Sequence, residues 1–293
     1  MSVTAAALSR KIASAGDLRS VVRTMKAVAA ANLGQYEQSV RALADYSETV
    51  ELGLGVCFRE ATTAAMPPTN RNLADHGSPL AIVFGSDQGL VGRFNDEIVE
   101  FASTSLAEFS GEPRVWAIGE RVYGRLVDAG LSPIGTLPVP ASIHAVAALV
   151  GKILVQCVSP QTSDAEVYLF HHRPIASGSC APTSLRLLPL DQEWRSELAR
   201  KAWPGHCLPD VVGGLSATLR ALIHEYLFVS LFRACAESLA SENASRLAAM
   251  RRADRNIGEL LESLGTSFHN VRQNGIDEEL FDVIAGFEAL NGT

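Results

Sequence analysis

Both ends of this chain carry apolar side chains at heptad spacing over a length that no compact domain can bury. From Leu215 to Val271, alternating steps of four and three residues meet an apolar residue almost every time, and no proline interrupts them. The exceptions are Arg233, Asn243 and Asp254. A mean period of 3.5 residues over about eight heptads is typical of a coiled coil. We expect the three exceptions to meet something other than the partner helix.

The N-terminal part repeats this pattern from Leu8 to Leu54. Two long helices at opposite ends of one chain, joined through a compact middle, most simply pair antiparallel with each other. Residues 1–35 hold five cations and one acid, Asp17, whereas residues 259–293 hold seven acids and one cation, Arg272. Opposite charges would favour that pairing, although exposed ion pairs contribute only about 0–1 kcal/mol each. Two solvated charged faces are the alternative.

The middle of the chain alternates between strand and helix patterns. Strands are predicted over 80–84, 114–118, 165–171 and 184–190, and helices over 96–108, 120–129 and 142–157. This alternation predicts a Rossmann-like α/β domain with a mainly parallel sheet, so the fold class is α/β with an antiparallel two-helix coiled coil. The predicted organisation is an N-terminal coiled-coil helix over 1–58, a linker over 59–79, the α/β domain over 80–190, a linker over 191–208 and a C-terminal coiled-coil helix over 209–293.

A glycine-containing loop from Gly85 to Gly92 follows the first predicted strand. Glycines between a strand and a helix can cradle phosphate. Here Arg93 and Phe94 stand where a Walker loop needs Lys and Ser or Thr, and the spacing does not give GxGxxG. The pattern therefore favours a tight turn that lets the helix pack close to the sheet, and we expect no cofactor. A phosphate- or nucleotide-binding protein dimerised by its coiled coil is the alternative function.

The residues give little support for a metal site, a catalytic site, a nucleic-acid-binding surface or a membrane span. His171 and His172 are adjacent on a predicted strand, so their side chains point to opposite faces and cannot share one metal. No catalytic constellation is recognisable, and we predict neither catalytic nor metal-binding residues. The five cysteines form no CxxC pair, and the net charge of −7 argues against nucleic acid as a partner. No uncharged apolar run approaches 18 residues, so we predict no membrane span.

Three stretches carry a family resemblance. The segment SRKIASAGDLRSVVRTMKAVAAANL is similar to the first helix of the F-type ATP synthase gamma subunit, and GSDQGLVGRFN resembles that family's SDRGLCGGFN turn, with Arg93 in place of the second glycine. The segments SLASENASRLAAMRRADRNIGELLESL and FHNVRQNGIDEELFDVIAGFEAL resemble its C-terminal helix. The matches keep the family's order and spacing along nearly the whole chain.

The resemblance implies a non-catalytic central-stalk rotor. Its partners would be the alpha and beta subunits of the catalytic hexamer, the epsilon subunit and the membrane c-ring, at the cytoplasmic face of a bacterial membrane. The resemblance also implies that the contacts with the hexamer involve Met25, Lys26, Arg246, Arg272 and Gln273. The coupling ion, proton or sodium, and the direction of operation stay open.

Overall fold

The computed structural model describes residues 4–63, 78–109, 111–156, 166–175, 179–207, 209–211 and 214–291. Most of the predicted 59–79 linker lies outside these residues. The helices are α1 (Ala5–Thr63), α2 (Phe94–Leu106), α3 (Glu120–Asp128), α4 (Ile143–Gln156), α5 (Gln192–Arg200) and α6 (Leu215–Asn291). The strands are β1 (Leu80–Phe84), β2 (Arg114–Ile118), β3 (Pro133–Leu137), β4 (Val167–Pro174) and β5 (Cys180–Leu188).

The five strands form one sheet in the order β3-β2-β1-β4-β5. Strand β1 pairs in parallel with both β2 and β4, and β2 pairs in parallel with β3. Strand β5 is antiparallel to β4. The predicted mainly parallel sheet is confirmed. Strand β3 was not predicted, because a five-residue edge strand that contains Pro133 and Gly135 gives a weak strand signal.

Each face of the sheet is covered by different helices. Leu80, Ile82 and Phe84 of β1 pack with α4, α6 and Tyr36 of α1. The intervening Ala81 and Val83 pack with α2 and α3 on the other face. Since successive side chains of a strand point to opposite faces, burial on both sides explains why β1 is apolar throughout.

Two compact units divide the chain, and each long helix contributes to both. Unit 1 contains residues 1–29 and 247–293, and unit 2 contains residues 30–246. The core of unit 1 is formed by Ala15 and Val22 of α1 with Met250 and Ile257 of α6. Lys26 of α1 contacts Asp254 of α6, and the earlier residue Arg19 reaches the later residue Gly258. The helices therefore run antiparallel, and the predicted pairing of the two terminal helices is confirmed.

The same two helices pair in unit 2. There Leu219, Leu222 and Tyr226 of α6 pack with Val50 and Leu54 of α1. Among the described helices, α6 is long and apolar enough to cross a membrane, with a mean hydropathy of 1.2 over 18 residues. This criterion is met by length and composition alone, and in unit 2 the side chains of Leu219, Leu222 and Tyr226 are partly buried against α1.

The helix ends differ from the predicted boundaries. Helix α1 continues to Thr63 rather than ending near 58, since no proline or glycine stops it before Pro67. Helix α6 begins at Leu215 rather than 209, directly after Gly214, whose φ of 99° no helical residue adopts. Between them, the predicted 191–208 linker contains α5, whose first turn is capped by the Asp191 carboxylate accepting from the Trp194 amide.

The three breaks in the α6 repeat all have partners within the chain. Arg233 Nε donates to Glu237 Oε1 at 2.8 Å, and Asn243 Nδ2 donates to the Leu239 carbonyl at 2.8 Å. Asp254 accepts hydrogen bonds from α1 itself. The expectation that Asp254 meets something other than the partner helix was wrong, because its carboxylate neutralises cations that α1 presents beside the apolar seam.

Candidate functional site

The loop from Gly85 to Gly92 is fastened to its surroundings by side chains. The Ser86 amide donates to Asn95 Oδ1 at 3.0 Å, and Asn95 Nδ2 donates to Ser86 Oγ at 2.8 Å. The two oxygens of Asp87 accept from the amides of Glu120 and Val139, each at 3.0 Å. These bonds tie the ends of β1, β2 and β3 together, so the polar side chains of Ser86 and Asp87 are used in the fold.

Backbone proximity explains the glycines at this edge of the sheet. A Cβ atom on Gly85 would lie 2.3 Å from Val122 Cβ and 2.8 Å from Asn95 Oδ1. Gly119 has a φ of 121°, and a Cβ atom there would lie 2.7 Å from the Ser86 carbonyl oxygen. Glycine is required at both positions because the chain segments approach too closely for a side chain. This geometry supports the predicted tight packing turn.

The crevice where a doubly wound sheet usually binds a ligand is filled. In this strand order the switch point lies between β1 and β4, at their carboxyl ends. There the ring of His172 stacks on Phe94, with centroids 4.2 Å apart and an interplanar angle of 23°. His172 is fully buried, and burial, with a smaller contribution from His171, lowers its pKa to about 4. A buried pair of stacked rings therefore fills this end of the sheet between β1 and β4.

His171 lies on the opposite face, against α6. Its Nε2 atom is 2.9 Å from Glu237 Oε2, and Glu237 also accepts from Arg233 and Arg173. Burial raises the pKa of Glu237, but the hydrogen bonds from His171 and Arg233 outweigh it and bring that pKa down to about 2. The two histidines thus have different neighbours on the two faces. No group of three metal-ligating side chains occurs in the described ranges.

Two of the five candidate contact residues lie in unit 1 on α1. Met25 is half-buried against the Val22 and Met250 cluster. Lys26 is 34% exposed, and its Nζ atom donates to Asp254 Oδ2 at 2.7 Å. Met25 and Lys26 are adjacent on α1, and both lie where α1 packs against α6.

Arg272 and Gln273 lie further along α6, and both are exposed. They stand five helical turns beyond Asp254, roughly 27 Å along the helix axis. The structure therefore does not bring them together with Met25 and Lys26. Arg246 belongs to unit 2, where its guanidinium donates to Glu242 Oε1 at 2.6 Å and its side chain is only 13% exposed.

Sequence reasoning missed an apolar stripe at the end of α6. Large apolar side chains are about half exposed or more at Ile276, Leu280, Phe281, Val283, Ile284 and Phe287. Most of them follow the i, i+4, i+7, i+8 spacing of one helix face, a signal present in the sequence beyond the end of the heptad repeat. An exposed apolar face of this kind is a candidate contact surface.

Comparison with known proteins gives a consistent result. The family model described as ATP synthase matches residues 4–290. The ATP synthase gamma chain of Rhizobium johnstonii is 28% identical over 291 residues, covering 97% of this chain and 98% of the relative. The gamma chain of Micrococcus luteus is 25% identical over 299 residues, covering 97% of each.

Solved structures support the fold. The rotor of the Euglena gracilis mitochondrial ATP synthase gives a TM-score of 0.60 at 15% identity, covering 92% of this chain and 97% of that one. The central stalk and c-ring structure from Tetrahymena thermophila gives 0.55 at 20% identity, covering 80% and 99%. With the family model matched from residue 4 to residue 290, this chain belongs to the gamma-chain family of the ATP synthase.

Proposed function

We propose that this chain is the non-catalytic central-stalk rotor of a bacterial F-type ATP synthase. It transmits torque between a membrane c-ring and a catalytic hexamer of alpha and beta subunits, and the epsilon subunit binds it as part of the same stalk. Partner subunits hold it at the cytoplasmic face of the membrane. The observation that carries this proposal is the match of one family model to nearly the whole chain, terminal helices and α/β domain together.

The surface of α6 supports a role in a larger assembly. The apolar stripe from Ile276 to Phe287 is exposed in the isolated chain, and the apolar cluster that α1 and α6 share in unit 1 extends along α6 no further than Leu261. An unpaired apolar helix face of this size is stabilised by a partner that buries it. In the proposed function that partner is the alpha and beta hexamer.

The polar contacts with the hexamer are proposed for residues beside this stripe and on α1. Arg272 and Gln273 carry the contact near the end of α6, and Met25 and Lys26 carry a second contact in unit 1. Arg246 is the fifth proposed residue, with its guanidinium already held by Glu242. Polar contacts suit a rotor, because each must be released when the next step begins.

Reconstitution tests the function directly. The purified chain alone is expected to lack ATPase activity, and to restore ATPase activity when it is mixed with matching alpha and beta subunits. Ion pumping should then appear when the complete complex is assembled in vesicles. A chain that joins no such hexamer would overturn the proposal.

A double substitution tests the contact residues. Replacing Arg272 and Gln273 together with alanine should lower ATP-driven ion pumping by the complex, while the thermal unfolding of the isolated chain stays unchanged, because both side chains are exposed. Arg220→Ala is the matched control, since it removes an exposed cation elsewhere on α6. Unchanged pumping in the double variant would refute the assigned contact.

A further inference from the structure

Three cations of α1 converge on one carboxylate of α6 in unit 1. Asp254 Oδ1 accepts from Arg19 Nε at 3.0 Å and from Arg23 Nε at 3.4 Å, and Asp254 Oδ2 accepts from Lys26 Nζ at 2.7 Å. The carboxylate side chain is 17% exposed, and the three cations are 34%, 57% and 34% exposed in the same order. We call these four residues the cation cluster.

The cation cluster is strongly unbalanced in charge. Between residues 4 and 29, α1 has one acid, Asp17, and the neighbouring turns of α6 add Arg251, Arg252 and Arg255. Hydrogen bonds from Lys26 and Arg19 hold the pKa of Asp254 well below its usual range. Asp254 therefore stays ionised and offsets one of three positive charges, which leaves a positive surface on the helix pair.

The geometry ties this surface to the seam between the helices. Arg19, Arg23 and Lys26 follow the i, i+4, i+7 spacing of one face of α1, beside buried Val22. A Cβ atom on Gly258 would lie 3.3 Å from Arg19 Nη2, so the absence of a side chain there gives Arg19 room to lie across α6. The cluster consequently joins the two helices in one register.

We propose that Asp254 is a positioning residue that holds Lys26, together with Arg19, in a fixed place for contact with the partner subunits. The proposal rests on the proposed function, in which Lys26 contacts the hexamer. A free lysine side chain loses rotamer entropy when it is immobilised at an interface. A lysine already held by Asp254 loses less, so the contact forms at the same position in each step of the rotor.

A double-mutant cycle separates positioning from simple support of the fold. The variants are Asp254→Asn, Lys26→Met and the two combined, each assembled in the complete complex in vesicles. The matched control is Glu259→Gln, which removes an exposed carboxylate from the same helix. The measurements are ions pumped per ATP hydrolysed at low and high salt, and thermal unfolding of each isolated chain.

If Asp254 acts through Lys26, either single variant should reduce pumping per ATP roughly two- to fivefold at low salt, the size expected for an exposed ion-pair network. The combined variant should be no worse than Lys26→Met alone, because the two residues act as one unit. Glu259→Gln should match the unsubstituted chain. Additive losses, or no loss with Asp254→Asn, would overturn the proposal.

Two further outcomes are distinguishable. Should Asp254→Asn fail to assemble, the cycle is repeated with Asp254→Glu, which keeps the charge but displaces the carboxylate by one methylene; additivity would again overturn the positioning role. Failure of the unsubstituted chain to assemble with alpha and beta subunits would contradict the proposed function itself. A complex that pumps normally but gives an additive cycle contradicts only the role of Asp254.

Discussion

His172 shows how a single buried residue links the fold to pH. Its pKa in the folded chain is about 4, below its ordinary 6.5, because burial disfavours the charged ring. Between these two values the unfolded chain binds the proton more readily than the folded chain. The contribution of neutral His172 to the free energy of unfolding is therefore fully present above about pH 6.5, and it is lost as the pH drops towards 4. Glu237, whose pKa is lowered to about 2, loses its contribution only below its ordinary 4.5.

We predict that His172→Phe removes most of the acid sensitivity between about pH 7.5 and pH 5. Both ring nitrogens of His172 are buried without a hydrogen-bond partner. Phenylalanine has no such nitrogens and retains the stack on Phe94. With pKa values of 6.5 unfolded and about 4 folded, His172 should cost about 2 kcal/mol of stability between these two pH values, which urea unfolding can measure. His144→Gln, at an exposed histidine, is the control. Equal acid sensitivity in His172→Phe and the original chain would contradict this account.

Gly85 gives a second prediction for one residue. Gly85→Ala would place Cβ 2.3 Å from Val122 Cβ, so the β1 loop and α3 must move apart, at a cost of about 1–3 kcal/mol or more. Gly124→Ala adds the same methyl group to α3 where no atom lies within 4 Å, and it should stabilise the chain by up to about 1 kcal/mol. Denaturant unfolding of both variants measures the difference. Similar stabilities would show that the loop does not pack against α3 as described.

Among the elements, the long helices, most strands and the buried side of α1 could be predicted, and Leu18 is the position of the α1 repeat that departs from the prediction. The repeat includes both Leu18 and Val22, yet Val22 is buried and Leu18 is 55% exposed. A helix that pairs with one partner buries a narrow stripe, and a 3.5-residue period alone does not reveal which positions at its margin stay exposed. The role of Asp254 was missed for a related reason. Which cations face it depends on the register of the helices, and register is not visible in one sequence.

Adjacent valines on α1 test this interpretation of the helix pair. Val22→Ala removes two methyl groups from the core of unit 1 and should lower the unfolding free energy by about 1.5–3 kcal/mol. Val21→Ala makes the same chemical change at a side chain that is 56% exposed. Its effect should lie within about 0.5 kcal/mol, since alanine also has the higher helix propensity. Thermal unfolding followed by helical circular dichroism compares the two, and equal losses would place the buried stripe elsewhere.

Across the whole molecule, burial differs greatly between segments of the chain. Every residue of β1 is buried, with helices on both faces of the sheet. Beyond the core of unit 1, by contrast, α6 continues through residues 276–287 with its apolar side chains exposed. Helical segments without tertiary packing are only marginally stable in water. The sequence could not distinguish these cases, because exposure depends on where the partner helix ends.

Amide hydrogen exchange measures this difference along the chain. In the isolated chain we expect the amides of β1 to exchange only on global unfolding of unit 2, whereas those of residues 276–287 should exchange orders of magnitude faster through local fraying. After assembly with alpha and beta subunits, residues 276–287 should become protected, because the hexamer buries their apolar stripe. Strand β1 serves as the internal reference, since its protection does not depend on a partner. Strong protection of 276–287 in the isolated chain, or none after assembly, would mean that this stripe is not the surface through which the hexamer holds the rotor.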